Sequence, residues 1–253
     1  MVIELERRGR TAVVTINRPD ARNAVNGEVA ETMESTLDEL ERDDDVRVVV
    51  VTGAGPTFCA GADLKAVSRG GGGEVATKRG GFAGFTHRDF PKPVIAAVNG
   101  PAVAGGFEIV LACDIVVAAD EAVFGIPEVK RGLFAAAGGL IRLPKRVALP
   151  LAMELALTGD TIDAQRAYTV GLANRVVPRD RVVDEAVAIA DRIAGHPQLA
   201  VLNARRMVRE ALDLPEADAW KRSNELAIEV FRRPDAIEGA TAFSEKRDPN
   251  WSE

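Results

Sequence analysis

Two glutamates stand in company that does not suit a charge. Glu108 lies within Val103-Ala104-Gly105-Gly106-Phe107-Glu108-Ile109-Val110-Leu111, and Glu128 ends the run Phe124-Gly125-Ile126-Pro127-Glu128. Taking a carboxylate out of water is costly unless the group is paired, hydrogen-bonded or held neutral. A carboxylate in such a setting is a candidate for moving protons. Each also has a plainer reading. Glu108 could complement the dipole of a helix from its first turn. Glu128 after Pro127 could be ordinary helix-start chemistry.

Glycines supply the second feature. Gly105-Gly106 opens the apolar helix that carries Glu108. Small residues let a ligand approach the backbone, and the free N–H groups of a helix start favour an anion or a developing oxyanion. Gly53-Ala54-Gly55 hints at dinucleotide binding, but Phe58 holds the third glycine position, and no Gly-Lys-Ser/Thr follows for a triphosphate loop. Cys59 and Cys113 have neither metal-ligand spacing nor a disulfide framework and read as small packing residues. His87 and His196 stand alone, which gives a Ser-His-Asp or Cys-His site no support.

The elements that must position these residues follow from the pattern. Runs 2–6 and 12–16 alternate around a turn containing Gly9, as a hairpin does. From Asn26-Gly27 to Arg42 the periodicity predicts an amphipathic helix. The β-branched run 46–52 reads as a buried strand, and runs 93–98 and 115–119 read the same way around the helix 107–113. The order strand, glycine turn, helix thus recurs, without a sequence repeat of fixed period. Residues 65–90, with glycines at 70–73, 80, 81 and 84, predict a mobile loop beside a site. Beyond Pro197, three helical patterns at 199–212, 216–231 and 235–246 are separated by Pro215 and Pro234. Helices of that length need a packing surface, from the core or from another subunit.

Composition excludes some partners. The 253 residues carry 32 Lys and Arg against 38 Asp and Glu, a formal charge of −6, which lacks the basic footprint of a nucleic-acid binder. No apolar run reaches the length of a membrane span or signal peptide, so a soluble cytoplasmic protein is expected, with no membrane partner.

Taken in order along the chain, these motifs resemble the crotonase (enoyl-CoA hydratase/isomerase) superfamily. Phe58-Cys59-Ala60-Gly61-Ala62-Asp63-Leu64 is similar to the family's first oxyanion-loop motif. Residues 92–100, with Gly105-Gly106 and Cys113-Asp114, are similar to its second. Residues 124–128, then Gly138-Gly139 and Arg142-Leu143, match its third. Thr158-Gly159, Ala164, Ala167, Gly171-Leu172 and Val176-Val177 follow the downstream pattern, and residues 242–247 match the C-terminal segment.

The resemblance implies an α/β fold: a crotonase-like spiral of ββα units over 1–195, followed by a C-terminal helical oligomerisation (trimerisation) region over 196–253. It implies a homotrimer or homohexamer acting on an acyl-CoA thioester, with no metal and no separate cofactor, since coenzyme A belongs to the substrate. Ala62 and Gly105 fall where backbone N–H groups form the family's oxyanion hole, and two fixed donors would stabilise a thioester enolate. Glu108 and Glu128 match the two glutamates of the hydratases; isomerases often keep only the second, so hydration of a trans-2-enoyl-CoA is favoured. Ala60, Gly61, Asp63, Leu64, Phe243 and Lys246 fall at substrate- or CoA-binding positions. Asp63 also suits a helix cap, and Lys246 a solvated helix face. Where many hydratases carry a proline-glycine pair, Phe134-Ala135-Ala136-Ala137 stands instead, bordering the acyl group. The alternatives are an isomerase or an acyl-CoA dehydratase and, from another class, an RNA-binding relative, which the acidic balance and the paired glutamates disfavour.

Overall fold

A computed structural model describes residues 1–65 and 75–252. The glycines at 70–73, and the mobility expected of them, lie outside the described residues. Eleven strands are present among those described: β1 (Ile3–Arg8), β2 (Thr11–Ile16), β3 (Val48–Gly53), β4 (Ala76–Thr77), β5 (Gly81–Phe82), β6 (Val94–Val98), β7 (Ala102–Val103), β8 (Ile115–Ala119), β9 (Val123–Gly125), β10 (Thr161–Asp163) and β11 (Arg175–Val177). Two compact units divide the chain, Met1–Ala190 and Asp191–Glu253.

In the first unit a six-stranded sheet runs β1-β2-β3-β6-β8-β11. β1 and β2 form the antiparallel hairpin, and every later neighbour pairs in parallel. Every residue of β3 and β6 is buried, which explains why both read as unbroken apolar runs: each face of such a parallel sheet is covered. A second sheet, β10-β9-β7, is extended by the bridge between Cys59 and Ala102.

The two sheets reveal the repeating unit. β6 adds a strand to the large sheet, β7 adds one to the small sheet, and the helix Gly105–Ala112 follows. β8, β9 and the single 3-10 turn Pro127–Arg131 repeat that order. Each turn therefore ends at the start of a helical segment beside the small sheet, and Gly105 and Glu128 both come from such starts. Phe107 packs on Phe124 across these two turns, with ring centroids 5.6 Å apart.

Residues 75–90 differ from the plain loop expected of them. β4 and β5 form a small antiparallel ladder, and its flanks are tied to the amphipathic helix Gly27–Arg42. Arg79 pairs with Asp38 at 2.7 Å and Glu41 at 3.0 Å, while buried Arg88 pairs with Asp38 at 2.6 Å and also with Glu41. Glycine density set the expectation of a loop; long-range ion pairs order the segment instead.

The second unit holds the helices Gln198–Glu210, Glu216–Phe231 and Pro234–Glu245, close to the three patterns read from sequence. Buried Asn203 donates to the Leu226 carbonyl and to Glu229, each at 3.1 Å, joining the first two helices. The Arg247 guanidinium holds the Glu238 carboxyl down to about 2. Among the described residues no helix is long and apolar enough to cross a membrane.

Candidate active site

The strand ends and helix starts of the first unit surround a cavity of about 1080 Å³. Ala60, Ala62, Asp63, Leu64, Gly105, Glu108 and Glu128 all line it. Gly61 lies behind this lining, buried, with φ +90°. A methyl group built on Gly61 would sit 3.0 Å from the Gly105 nitrogen and 2.9 Å from the Ala104 methyl, so glycine is what lets these two loops meet.

Two backbone N–H groups are left over at that junction. Val25 bridges Ala62 in parallel, donating to the Gly61 carbonyl and accepting from the Asp63 N–H, both at 2.8 Å. The residue opposite the bridge makes neither bond, so the Ala62 N–H has no partner among the described residues. Gly105 is the first residue of its helix, where N–H groups lack intrahelical acceptors, and its N–H is likewise unpaired among the described residues. Ala104 before it has φ 52° and ψ −131°, a sparsely populated conformation for a residue with a side chain. Its ψ sets the direction of the peptide that carries the Gly105 N–H. Positive φ thus falls on Ala104 and not on Gly105.

Glu108 is buried, 3% exposed. Its Oε1 accepts the Gly139 N–H at 2.8 Å, at the start of the helix Gly139–Arg146. Its place in a first turn is real, but its carboxylate caps a different helix from its own. A methyl group on Gly139 would meet that oxygen at 3.0 Å, which gives the second glycine of the 138–139 pair a reason. Burial pushes the Glu108 carboxyl up, opposed by amide hydrogen bonds from Gly139 and Ala137 and by the charges of Arg142 and His87. Glu128, half-buried in its 3-10 turn, is also pushed up by burial, opposed by a hydrogen bond from its own backbone N–H, and raised further by the neighbouring charge of Glu108. Its Oε2 is buried without a hydrogen-bond partner among the described residues.

Asp63 pairs with Arg18 at 3.2 Å and accepts the Lys65 N–H at 3.2 Å, so it fixes the loop and occupies a capping position. Burial pushes the Cys59 thiol up to about 12, which leaves almost no thiolate at neutral pH and suits packing. Phe243 and Lys246 belong to the second unit; Phe243 is 87% exposed, and Lys246 is the left-handed C-cap of its helix.

Some site-forming residues escaped the sequence reading. Asn23 donates to the carbonyls of Ala54 and Thr57 at 2.9 and 2.6 Å, and Asn99 donates to the carbonyl of Gly55 at 2.7 Å, together pinning the loop that leads to residue 60. Phe82 backs Gly105 so closely that a methyl group there would lie 2.4 Å from its ring. His87 lines the same cavity. Asn-Gly at 99–100 signalled only a turn, and nothing local marked the others.

A ββα spiral thus brings to the lining of one cavity two amides unpaired among the described residues and two desolvated carboxylates, an arrangement able to hold a developing oxyanion and to move protons beside it. The enoyl-CoA hydratase/isomerase family profile matches residues 6–253, and the chain belongs to that family. Enoyl-CoA hydratase EchA19 of Mycobacterium tuberculosis is 42% identical, covering 98% of this chain and 95% of the relative. Carnitinyl-CoA dehydratase of Proteus mirabilis is 38% identical, covering 98% and 97%. The crystal structure of an enoyl-CoA hydratase from Mycobacterium tuberculosis superposes with a TM-score of 0.94 at 44% identity, covering 99% of this chain and 98% of that one.

Proposed function

We propose that this protein adds water across the 2,3 double bond of a trans-2-enoyl-CoA. The observation that carries the reading is the meeting of two unpaired N–H groups, Ala62 and Gly105, with the carboxylates of Glu108 and Glu128 in one cavity. The thioester oxygen accepts from both N–H groups, and these bonds strengthen as negative charge moves onto it.

The environments divide the carboxylates' work. Glu108 is supported in its charged form by the Gly139 amide and acts as base, taking a proton from the water that attacks Cβ. Glu128 keeps one buried oxygen without a partner among the described residues and is raised by burial and by the Glu108 charge, which suits it to give a proton to Cα as the enolate collapses. The water's O–H bond breaks, C–O and C–H bonds form, and proton transfer between the two glutamates restores the starting state.

The same steps in reverse dehydrate a 3-hydroxyacyl-CoA, and the dehydratase relative favours keeping that direction as a second reading. Supplying trans-2-enoyl-, 3-enoyl- and 3-hydroxyacyl-CoA separately and identifying products tests both. Conversion of 3-enoyl-CoA alone would replace hydration with isomerisation.

Coenzyme A contacts by Phe243 and Lys246, and trimer or hexamer assembly through the helices of 196–253, are part of the same proposal. Deleting residues 235–253 should weaken CoA binding and lower the solution mass together. An unchanged mass and affinity would remove both assignments.

A further inference from the structure

His87 lines the catalytic cavity with the two glutamates and is not used by the hydration chemistry. Its position is built rather than incidental. The His87 N–H donates to the Gly80 carbonyl at 2.8 Å, closing a turn after β5. The imidazole lies directly over Gly81, where a methyl group would come within 2.8 Å of Cγ. Gly81 has φ +68°, so neither the backbone nor the space admits a side chain there, and the glycine makes room for the ring. The next carbonyl back, of Thr86, accepts from the Arg142 guanidinium at 2.6 Å, and Arg142 also reaches the Ala137 carbonyl at 3.3 Å. Arg142 thereby ties the histidine's turn to the loop whose amides hold Glu108.

His87 is exposed and lines the cavity, and its ring nitrogens have no hydrogen-bond partner among the described residues. Imidazole presents one donor and one acceptor when neutral, so a ligand oxygen on either nitrogen would be satisfied. Gly81, under the imidazole, precedes Phe82, whose ring backs Gly105, so His87 stands on the Gly105 side of the cavity. Phe82, Leu133 and Phe134 supply apolar wall in the same cavity. A chain made only of methylenes would cover that wall and leave the imidazole desolvated and unpaired, at a cost. A chain bearing a carboxylate would meet Glu108 and Glu128. A neutral oxygen avoids both penalties.

We propose that His87 is a specificity-determining residue that hydrogen-bonds a hydroxyl or keto oxygen on the acyl chain beyond Cβ, so that the preferred thioester carries an oxygenated acyl group. The assignment rests on the hydratase reading and deepens it.

The test uses the full-length enzyme and two trans-2-enoyl-CoA substrates of equal chain length, one unsubstituted and one hydroxylated beyond C3. A third with a terminal carboxylate completes the set. Wild type should favour the hydroxylated chain, and His87→Leu should lower the ratio of kcat/KM, hydroxylated over unsubstituted, by about 10-fold, the scale of one hydrogen bond. The loss should fall mainly on KM. His87→Gln, which keeps a donor and an acceptor, should retain part of the preference and guards against a folding defect in the leucine variant, which thermal melting reports. An equal fall in kcat for both substrates would mean that His87 acts only through Glu108 and would overturn the proposal. So would a wild-type preference for the carboxylate, or no preference at all. If wild type hydrates no enoyl-CoA, the hydratase reading itself fails; hydration without a His87-dependent preference defeats this assignment alone.

Discussion

The two glutamates reach one cavity by different supports. Glu108 comes from the helix Gly105–Ala112, is buried, and has an oxygen fixed on the first N–H of another helix. Glu128 comes from a 3-10 turn behind a proline, is half-buried, and keeps a buried oxygen with no partner among the described residues. Desolvation raises both carboxyls; the amides of Gly139 and Ala137 oppose this at Glu108, a single amide, its own, opposes it at Glu128, and the charge on Glu108 raises Glu128 further. Two groups of one chemical type thus sit in unlike surroundings, and the proposed division into base and acid rests on that difference.

The largest expected effect comes from removing either partner. Glu108→Gln and Glu128→Gln should each lower kcat by about 10²–10⁴-fold while folding and CoA affinity change little. Near-wild-type hydration by either variant would end the division of labour. A finer probe is Gly139→Pro, at the first position of its helix, which deletes the N–H that Glu108 accepts and brings ring atoms towards its oxygen. Steady-state assays should show kcat lower by about 10-fold, as one charge-assisted hydrogen bond is lost, and the acid limb of the pH profile displaced upward. An unmoved acid limb would mean that the Gly139 amide does not set the Glu108 charge.

The pH profile of the wild type sharpens the comparison further. Activity should fall on the acid side as Glu108 takes up a proton and on the alkaline side as Glu128 loses one. Because both carboxyls are raised, both limbs should lie above the ordinary glutamate value of 4.5. The smallest effect is on stability. A carboxyl raised on folding contributes stability that is fully present below its unfolded pKa and is lost as pH rises through its folded pKa. Glu128→Gln, which cannot ionise, should therefore melt above wild type at alkaline pH, with the gap closing as pH falls towards 4.5. A constant gap across that range would show that ionisation of Glu128 is not its cause.

Local sequence determined a good deal of this protein. The β-branched run that became β3, the periodicity of Gly27–Arg42 and the three proline-separated helices after Pro197 were legible because burial on both faces, a single apolar stripe and a missing N–H each leave a short-range signature. Glu108 stood out because a charge among apolar neighbours is conspicuous. What residue types do not carry is which groups across the chain meet them. Residues 75–90 looked like loop until Arg79 and Arg88 found carboxylates on the helix Gly27–Arg42, far back along the chain. His87 looked solitary until the turn over Gly81 turned it into the cavity. The unpaired amides of Ala62 and Gly105, the strained Ala104 and the capping of Gly139 by Glu108 exist only after the spiral stacks its turns, because a hydrogen bond between distant residues has no expression in either one's local sequence. Sequence named the two carboxylates; tertiary structure made them different.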